Sequence, residues 1–194
     1  MYRGLFYFFL TLSSINVYAS IVLEPWYGSF TSTETELATQ NDKANAMTGN
    51  AYGVKLGYKS KSIITGIEVN KLNPKIKDSF LNYLSLSTNN IFIGYQAGAL
   101  RFELGYIING RFTGESNHMV DGFILEELKG NISGIKFTLA LYLTHFVALN
   151  LNFINYDYTN IEAKFKEVSG VTKQDDVVGE NIFLVSLSFP LTFL

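Results

Sequence analysis

The segment Ala51-Tyr52-Gly53-Val54-Lys55-Leu56-Gly57-Tyr58 alternates large apolar side chains with small or charged ones, one residue in two. A period of two means a strand whose faces differ in chemistry, because successive side chains leave a strand on opposite sides. The pattern repeats along the chain. Ile63, Thr65, Ile67 and Val69 alternate with Ile64, Gly66, Glu68 and Asn70; Ile91, Ile93, Tyr95 and Ala97 alternate with Phe92, Gly94, Gln96 and Gly98. Phe102, Leu104, Tyr106 and Ile108 interleave with Arg101, Glu103, Gly105 and Asn109. Ile135, Phe137, Leu139 and Leu141 interleave with Gly134, Lys136, Thr138 and Ala140. Val147, Leu149, Leu151 and Phe153 flank Asn150 and Asn152, and the last run is Phe183, Val185, Leu187, Phe189, Leu191 and Phe193. A weaker first run, Ile21, Leu23, Pro25 and Tyr27 against Val22, Glu24, Trp26 and Gly28, brings the predicted strands to eight.

Connections of two lengths alternate between these runs. Long polar ones fall at 31–49, 71–89, 110–131 and 158–180, and short ones near 59–62, 98–101 and 142–145. The order predicts an all-β fold: an eight-stranded antiparallel up-and-down barrel with every long loop at one end. Pairing of the first and last strands would close it and remove both sheet edges.

The two faces decide the solvent. The mid-strand charges Glu24, Lys55, Glu68, Arg101, Glu103 and Lys136 all fall with the glycine and asparagine set. In a water-soluble barrel the apolar set would line a ligand cavity and the polar set would face water. In a transmembrane barrel the roles invert, and the polar set fills a narrow lumen. Inversion fits better. Seven glycines on the polar face suit a crowded lumen, and three carboxylates balance three cations, as a water-poor interior requires. Strands of about 10 residues tilted near 45° match a bilayer's hydrocarbon thickness. Tyr52, Tyr58, Tyr95, Tyr106, Phe183 and Phe193 lie toward strand ends, where aromatic girdles sit. A helical span competes only at Phe137 to Tyr156, a run without Asp, Glu, Lys or Arg. Its polar residues after His145 recur at period two, so a hairpin turning at Tyr142–His145 accounts for it.

Composition narrows the rest. The 194 residues are 47% hydrophobic and only 16% charged, too apolar for disorder. A formal charge of −2 leaves no basic footprint for nucleic acid. With no cysteine, disulfides, thiol catalysis and cysteine-ligated zinc are all excluded. Residues 1–19 read as a cleaved secretory signal peptide: Arg3, a short apolar run from Leu5 to Leu12, then Val17-Tyr18-Ala19. The barrel domain is predicted over 20–194.

The series from Phe183 to Phe193 resembles the C-terminal assembly signal of bacterial outer-membrane proteins, whose last strand ends in an aromatic residue. Leu23-Glu24-Pro25-Trp26-Tyr27-Gly28, with the segment from Tyr52 to Tyr58, is similar to the small eight-stranded outer-membrane β-barrel family. The resemblance covers about 20–194. It implies the outer membrane of a Gram-negative bacterium, periplasmic termini and four loops outside the cell. The partners it implies are outer-membrane lipid, lipopolysaccharide and the barrel-assembly machinery.

Chemistry is sparse. Lipid A-modifying enzymes among such barrels need a His, a Ser and an acid near the outer rim. Only His118, Ser116 and Asp121 offer that set, in a polar loop without a matching motif, so no catalytic, cofactor or metal site is expected. His145 reads as an interface residue at a turn. Glu162, Glu167, Asp175, Asp176 and Glu180, with Lys164, Lys166 and Lys173 among them, read as a solvated fourth loop. Phe80-Leu81-x-Tyr83-Leu84 and Phe123-Ile124-Leu125 read as strand extensions above the membrane, or else as contact sites for a partner. The expectation is a non-enzymatic barrel with a filled polar lumen, acting through its external loops. The alternatives are a narrow channel or transporter for small or hydrophobic molecules, and a lipid A-modifying enzyme.

Overall fold

In the computed structural model, which describes residues 19–35, 45–76, 81–116, 119–120, 123–166, 171–174 and 178–193, the alternating segments are all strands. They are β1 (Ala19–Thr35), β2 (Asn45–Ser60), β3 (Ile63–Ile76), β4 (Tyr83–Ala97), β5 (Leu100–Glu115), β6 (Met119–Val120), β7 (Phe123–Tyr142), β8 (Ala148–Phe165), β9 (Val171–Gln174), β10 (Val178–Ser188) and β11 (Leu191–Phe193). None of the described residues is helical. The run from Phe137 to Tyr156 is the end of β7, a turn and the start of β8.

Eight of these strands form a closed antiparallel ring in the order β1-β2-β3-β4-β5-β7-β8-β10, and β10 pairs back onto β1. β11 continues the line of β10 along β1 after an interruption at Pro190, which has no N–H for the ladder. The Phe189 amide donates instead to the carbonyl of Pro25, at 2.9 Å. Following the pairing once round the ring from Val22, through Gly57, Gly66, Phe92, Gly105, Lys136, Ile154 and Ile182, ends on Ser32. That return, ten residues farther along β1, is the stagger of the barrel. With eight strands it fixes a tilt of roughly 40° and a backbone radius of about 8 Å. Such a lumen holds side chains and little else.

The wall has two storeys. Near the short turns, the outward side chains are apolar and exposed: Ile21 to Tyr27 on β1, Tyr52 to Tyr58 on β2, Ile63 to Val69 on β3, Leu100 to Ile108 on β5, Ile135 to Leu141 on β7 and Phe183 to Phe193 on β10 and β11. The span from Leu100 to Ile108, at about 3.3 Å per residue and this tilt, covers roughly 20 Å between backbones, near the height of the apolar band of a transmembrane barrel. A continuous apolar band of this height around a closed barrel is a lipid-facing surface; in water it would far exceed the patches monomers tolerate. The protein is a transmembrane β-barrel. The soluble alternative fails because its apolar set would have to point inward.

Above the belt the chemistry of the two faces swaps, and on β1 to β4 the alternation keeps its phase. Outward positions become Ser29, Thr31, Asn50, Thr48, Ser87, Thr113 and Asn131, all exposed. Inward positions become a packed apolar core of Trp26, Phe30, Met47, Leu72, Leu84, Leu86, Phe112, Leu128, Ile132, Ile154, Tyr156, Tyr158 and Leu184. The long connections are accordingly much shorter than expected. β1 runs to Thr35 and β2 starts at Asn45; β3 and β4 reach Ile76 and Tyr83; β5 and β7 reach Glu115 and Phe123; β8 and β10 reach Phe165 and Val178. The polar outer residues of these extensions gave the sequence its loop-like look. Leu84 and Leu125 are buried in this storey, as strand extensions should be.

One irregularity sets the border of the storeys. The pairing of β5 slips between Ile107 and Gly110, so Ile108 and Asn109 both face out. Asn109, expected in the lumen, is therefore on the outer wall, and Ile107 takes the inward place. Opposite the bulge, Gly134 has φ +148°, and a Cβ there would collide with the Asn155 carbonyl.

Candidate functional site

The lumen of the lower storey is where the sequence concentrates charge. Glu24 comes from β1, Lys55 from β2, Glu68 from β3, Arg101 and Glu103 from β5, and Lys136 from β7. Each sits on the inward phase of its strand, and none is more than 3% exposed. The tilt of the wall brings together residues far apart in sequence. Arg101 Nη2 lies 2.7 Å from Glu24 Oε1, and its Nε lies 2.7 Å from Glu103 Oε1. Lys55 pairs with the other oxygen of Glu103. Lys136 Nζ donates to both oxygens of Glu68, at 2.7 and 2.9 Å, and Asn90 Nδ2 donates to Glu68 at 3.1 Å. Every cation meets at least one carboxylate, which is what makes burial of six charges tolerable.

Aromatic rings complete the cation shells. Lys136 Nζ is 5.1 Å from the Trp26 ring, Lys55 Nζ is 5.6 Å from Phe92, and the Arg101 guanidinium is 5.2 Å from Tyr142 and bonds its hydroxyl. A ring face attracts a cation and is itself apolar, so it fills space without adding a charge to balance. On the β7–β10 side the filling is neutral: Thr138 donates to Asn152 at 2.8 Å, and Asn150 donates to Ser188 at 2.9 Å.

Above this layer the apolar core closes the barrel a second time. Phe112 and Tyr158 meet edge-on with centroids 5.4 Å apart. Tyr158 donates its hydroxyl to Glu180. Glu180 was expected in a solvated loop; it lies on β10, 2% exposed, facing inward. The extension of β10 above the belt carries it inside. At the opposite mouth lies a cavity of about 280 Å³, lined by Lys59, Gln96, Tyr142 and His145 among others.

The other sequence candidates divide. Ser116 is buried at the top of β5, whereas His118 and Asp121 fall outside the described residues, as do residues 1–18, Glu167, Asp175 and Asp176. His145 is exposed in the turn between β7 and β8. Phe183, Val185, Leu187, Phe189, Leu191 and Phe193 all face outward along the closing seam with β1. Among the described residues no group of acidic, histidine or cysteine side chains is arranged to hold a metal. Sequence reading missed Trp26, Phe92 and Tyr142 as partners of the lumen cations. The inward phase of Trp26 and Phe92 was visible, whereas Tyr142, expected in the turn, closes β7, and the cross-barrel contacts of all three depend on the stagger.

No protein-family profile and no curated protein matches the chain. Among solved structures it is similar to Neisserial surface protein A, at 11% identity over 88% of this chain and 97% of the other, with a TM-score of 0.49. It is also similar to the outer-membrane protein OprG of Pseudomonas aeruginosa, at 9% identity over 90% and 97% of the two chains, TM-score 0.43. The attachment invasion locus protein Ail of Yersinia pestis matches at 10% identity over 89% and 98%, TM-score 0.42. Likeness at this level assigns no activity.

Proposed function

We propose that this chain is a non-enzymatic barrel of a bacterial outer membrane, sealed along its axis, which acts through the polar rim that its strand extensions raise above the lipid. The observation that carries the reading is the double filling of the lumen. A charged layer anchored on Arg101, Glu24 and Glu68 lies below an apolar layer built on Phe112, Tyr156 and Tyr158, all of them under 2% exposed. Water needs a polar path, and ions need one with room for their shells. The upper storey, packed with apolar side chains around the Tyr158–Glu180 pair, leaves ions no room for their shells. Residence in an outer membrane is supported by the apolar belt, by the closed sheet and by the signal-peptide pattern of residues 1–19. The outward aromatic series from Phe183 to Phe193 suits recognition by the assembly machinery on the exposed edge of an unclosed barrel.

Conductance in planar bilayers tests the sealed lumen. The purified barrel, inserted and showing heat-modifiable gel mobility, is expected to give no stable single-channel openings. Reproducible unitary steps from the folded form would overturn the reading in favour of a channel. For catalysis, lipid A mass spectra of cells with and without the protein are expected to be identical.

A further inference from the structure

Just above the last lipid-facing residues, the outward positions round the ring are mostly uncharged: Ser29, Asn50, Asn89, Ser133, Asn155 and Asn181. Lys71 and Arg111 break that ring on one side. Tyr52 pairs with Lys71, Lys71 with Ser87, and Ser87 with Arg111, so the two cations stand in one cross-strand row. Two strand spacings separate them, about 10 Å. Between them lies a groove of about 560 Å³ on the outer wall, with Tyr52, Val54 and Val69 on its belt side and Asn89 and Asn109 within it. The bulge of β5 puts Asn109 there.

Unlike Lys129 and Lys164 on the rim, these two cations are not neutralised. Lys129 lies 3.6 Å from Glu162, and Lys164 lies 2.8 Å from Glu126. Among the described residues, neither Lys71 nor Arg111 has a carboxylate or hydrogen-bond partner. They stand where a membrane's headgroups begin, above a concavity whose lower wall is apolar. That shape and charge complement an amphiphile with phosphate above and acyl chain below.

We infer that this groove on the β2–β5 face binds a phosphate-bearing lipid of the leaflet at the long-connection end. Its phosphate lies between Lys71 and Arg111, and an acyl chain runs down over Val54 and Val69. The inference rests on the transmembrane reading above, and its test keeps the two apart. The barrel is folded in zwitterionic micelles and titrated with bisphosphorylated lipid A or its dephosphorylated counterpart, and bound lipid is counted by native mass spectrometry. The wild type is expected to retain the phosphorylated form at least about tenfold better, and K71A/R111A to lose that preference, since each charge-assisted bond contributes roughly that factor. K71R/R111K should keep most of the preference and K129A all of it. Heat-modifiable mobility checks that each variant folds. Equal retention of the two lipids, or a preference that survives K71A/R111A, would overturn the site. Failure of the wild type to insert into zwitterionic vesicles would instead overturn the membrane reading.

Discussion

Lys136 offers the sharpest test of how the lumen is held together. Its ammonium is buried, makes two bonds to Glu68 and lies against Trp26. Lys136→Met keeps the stem's length and apolar packing and removes only the charge. Glu68 then keeps the Asn90 bond but loses its direct cation. Removing one partner of a buried pair costs about 3–5 kcal/mol, because the remaining charge is left in a poor solvent. Asn90 and the better packing of Met argue for the lower end, about 3 kcal/mol. With a urea slope of about 2 kcal/mol per molar, the unfolding midpoint should fall by roughly 1.5 M. The assay is urea unfolding from vesicles, followed by gel mobility in parallel with Trp26 fluorescence, Trp26 being the only tryptophan in the chain. E68Q/K136M should recover part of the loss, because it removes the stranded carboxylate. An unchanged midpoint in K136M, or a double variant whose loss is the sum of the single ones, would refute the pairing argument.

Gly134→Ala should destabilise the barrel by about 2 kcal/mol or more, since its φ is strained for any L side chain and its Cβ would strike the Asn155 carbonyl; refolding yield and urea midpoint report it. Phe112→Ala opens the upper core beside Tyr158 and should cost about 3–5 kcal/mol. Amide exchange at the tops of β5 and β8 is expected to quicken more than exchange in the belt, and uniform change would count against two storeys. On the solvated rim, the Lys164 ammonium holds the Glu126 carboxyl below the usual carboxylate range through a hydrogen bond and its charge. The lowered value means the pair's small contribution is present above the ordinary carboxylate pKa and is lost as pH falls through the lowered one. NMR titration of Glu126 should move up toward the ordinary range in Lys164→Ala, with no detectable change in unfolding midpoint, as befits an exposed pair.

The period-two alternation by itself determined the architecture. Side chains leave a strand on alternate sides, so Tyr52, Val54, Leu56 and Tyr58 had to share a face that Gly53, Lys55 and Gly57 did not. Repeated eight times with turns between, that admits a closed barrel. The balance of Glu24, Glu68 and Glu103 against Lys55, Arg101 and Lys136 in the lower lumen was equally legible, because it follows from composition and phase. Alternation says nothing, however, about which face is dry at a given height. The extensions around Phe30, Met47, Leu72 and, after the slip on β5, Phe112 point inward but carry the opposite chemistry, so their polar outer residues read as loops. Glu180 went astray for the same reason. The cross-barrel pairings of Arg101 with Glu24 and Lys136 with Glu68, and the row that sets Lys71 beside Arg111, depend on the ten-residue stagger of the ring. Stagger is fixed by how the last strand meets the first and by the slip at Ile108 and Asn109. Those are relations among all eight strands at once, and no local stretch of sequence contains them.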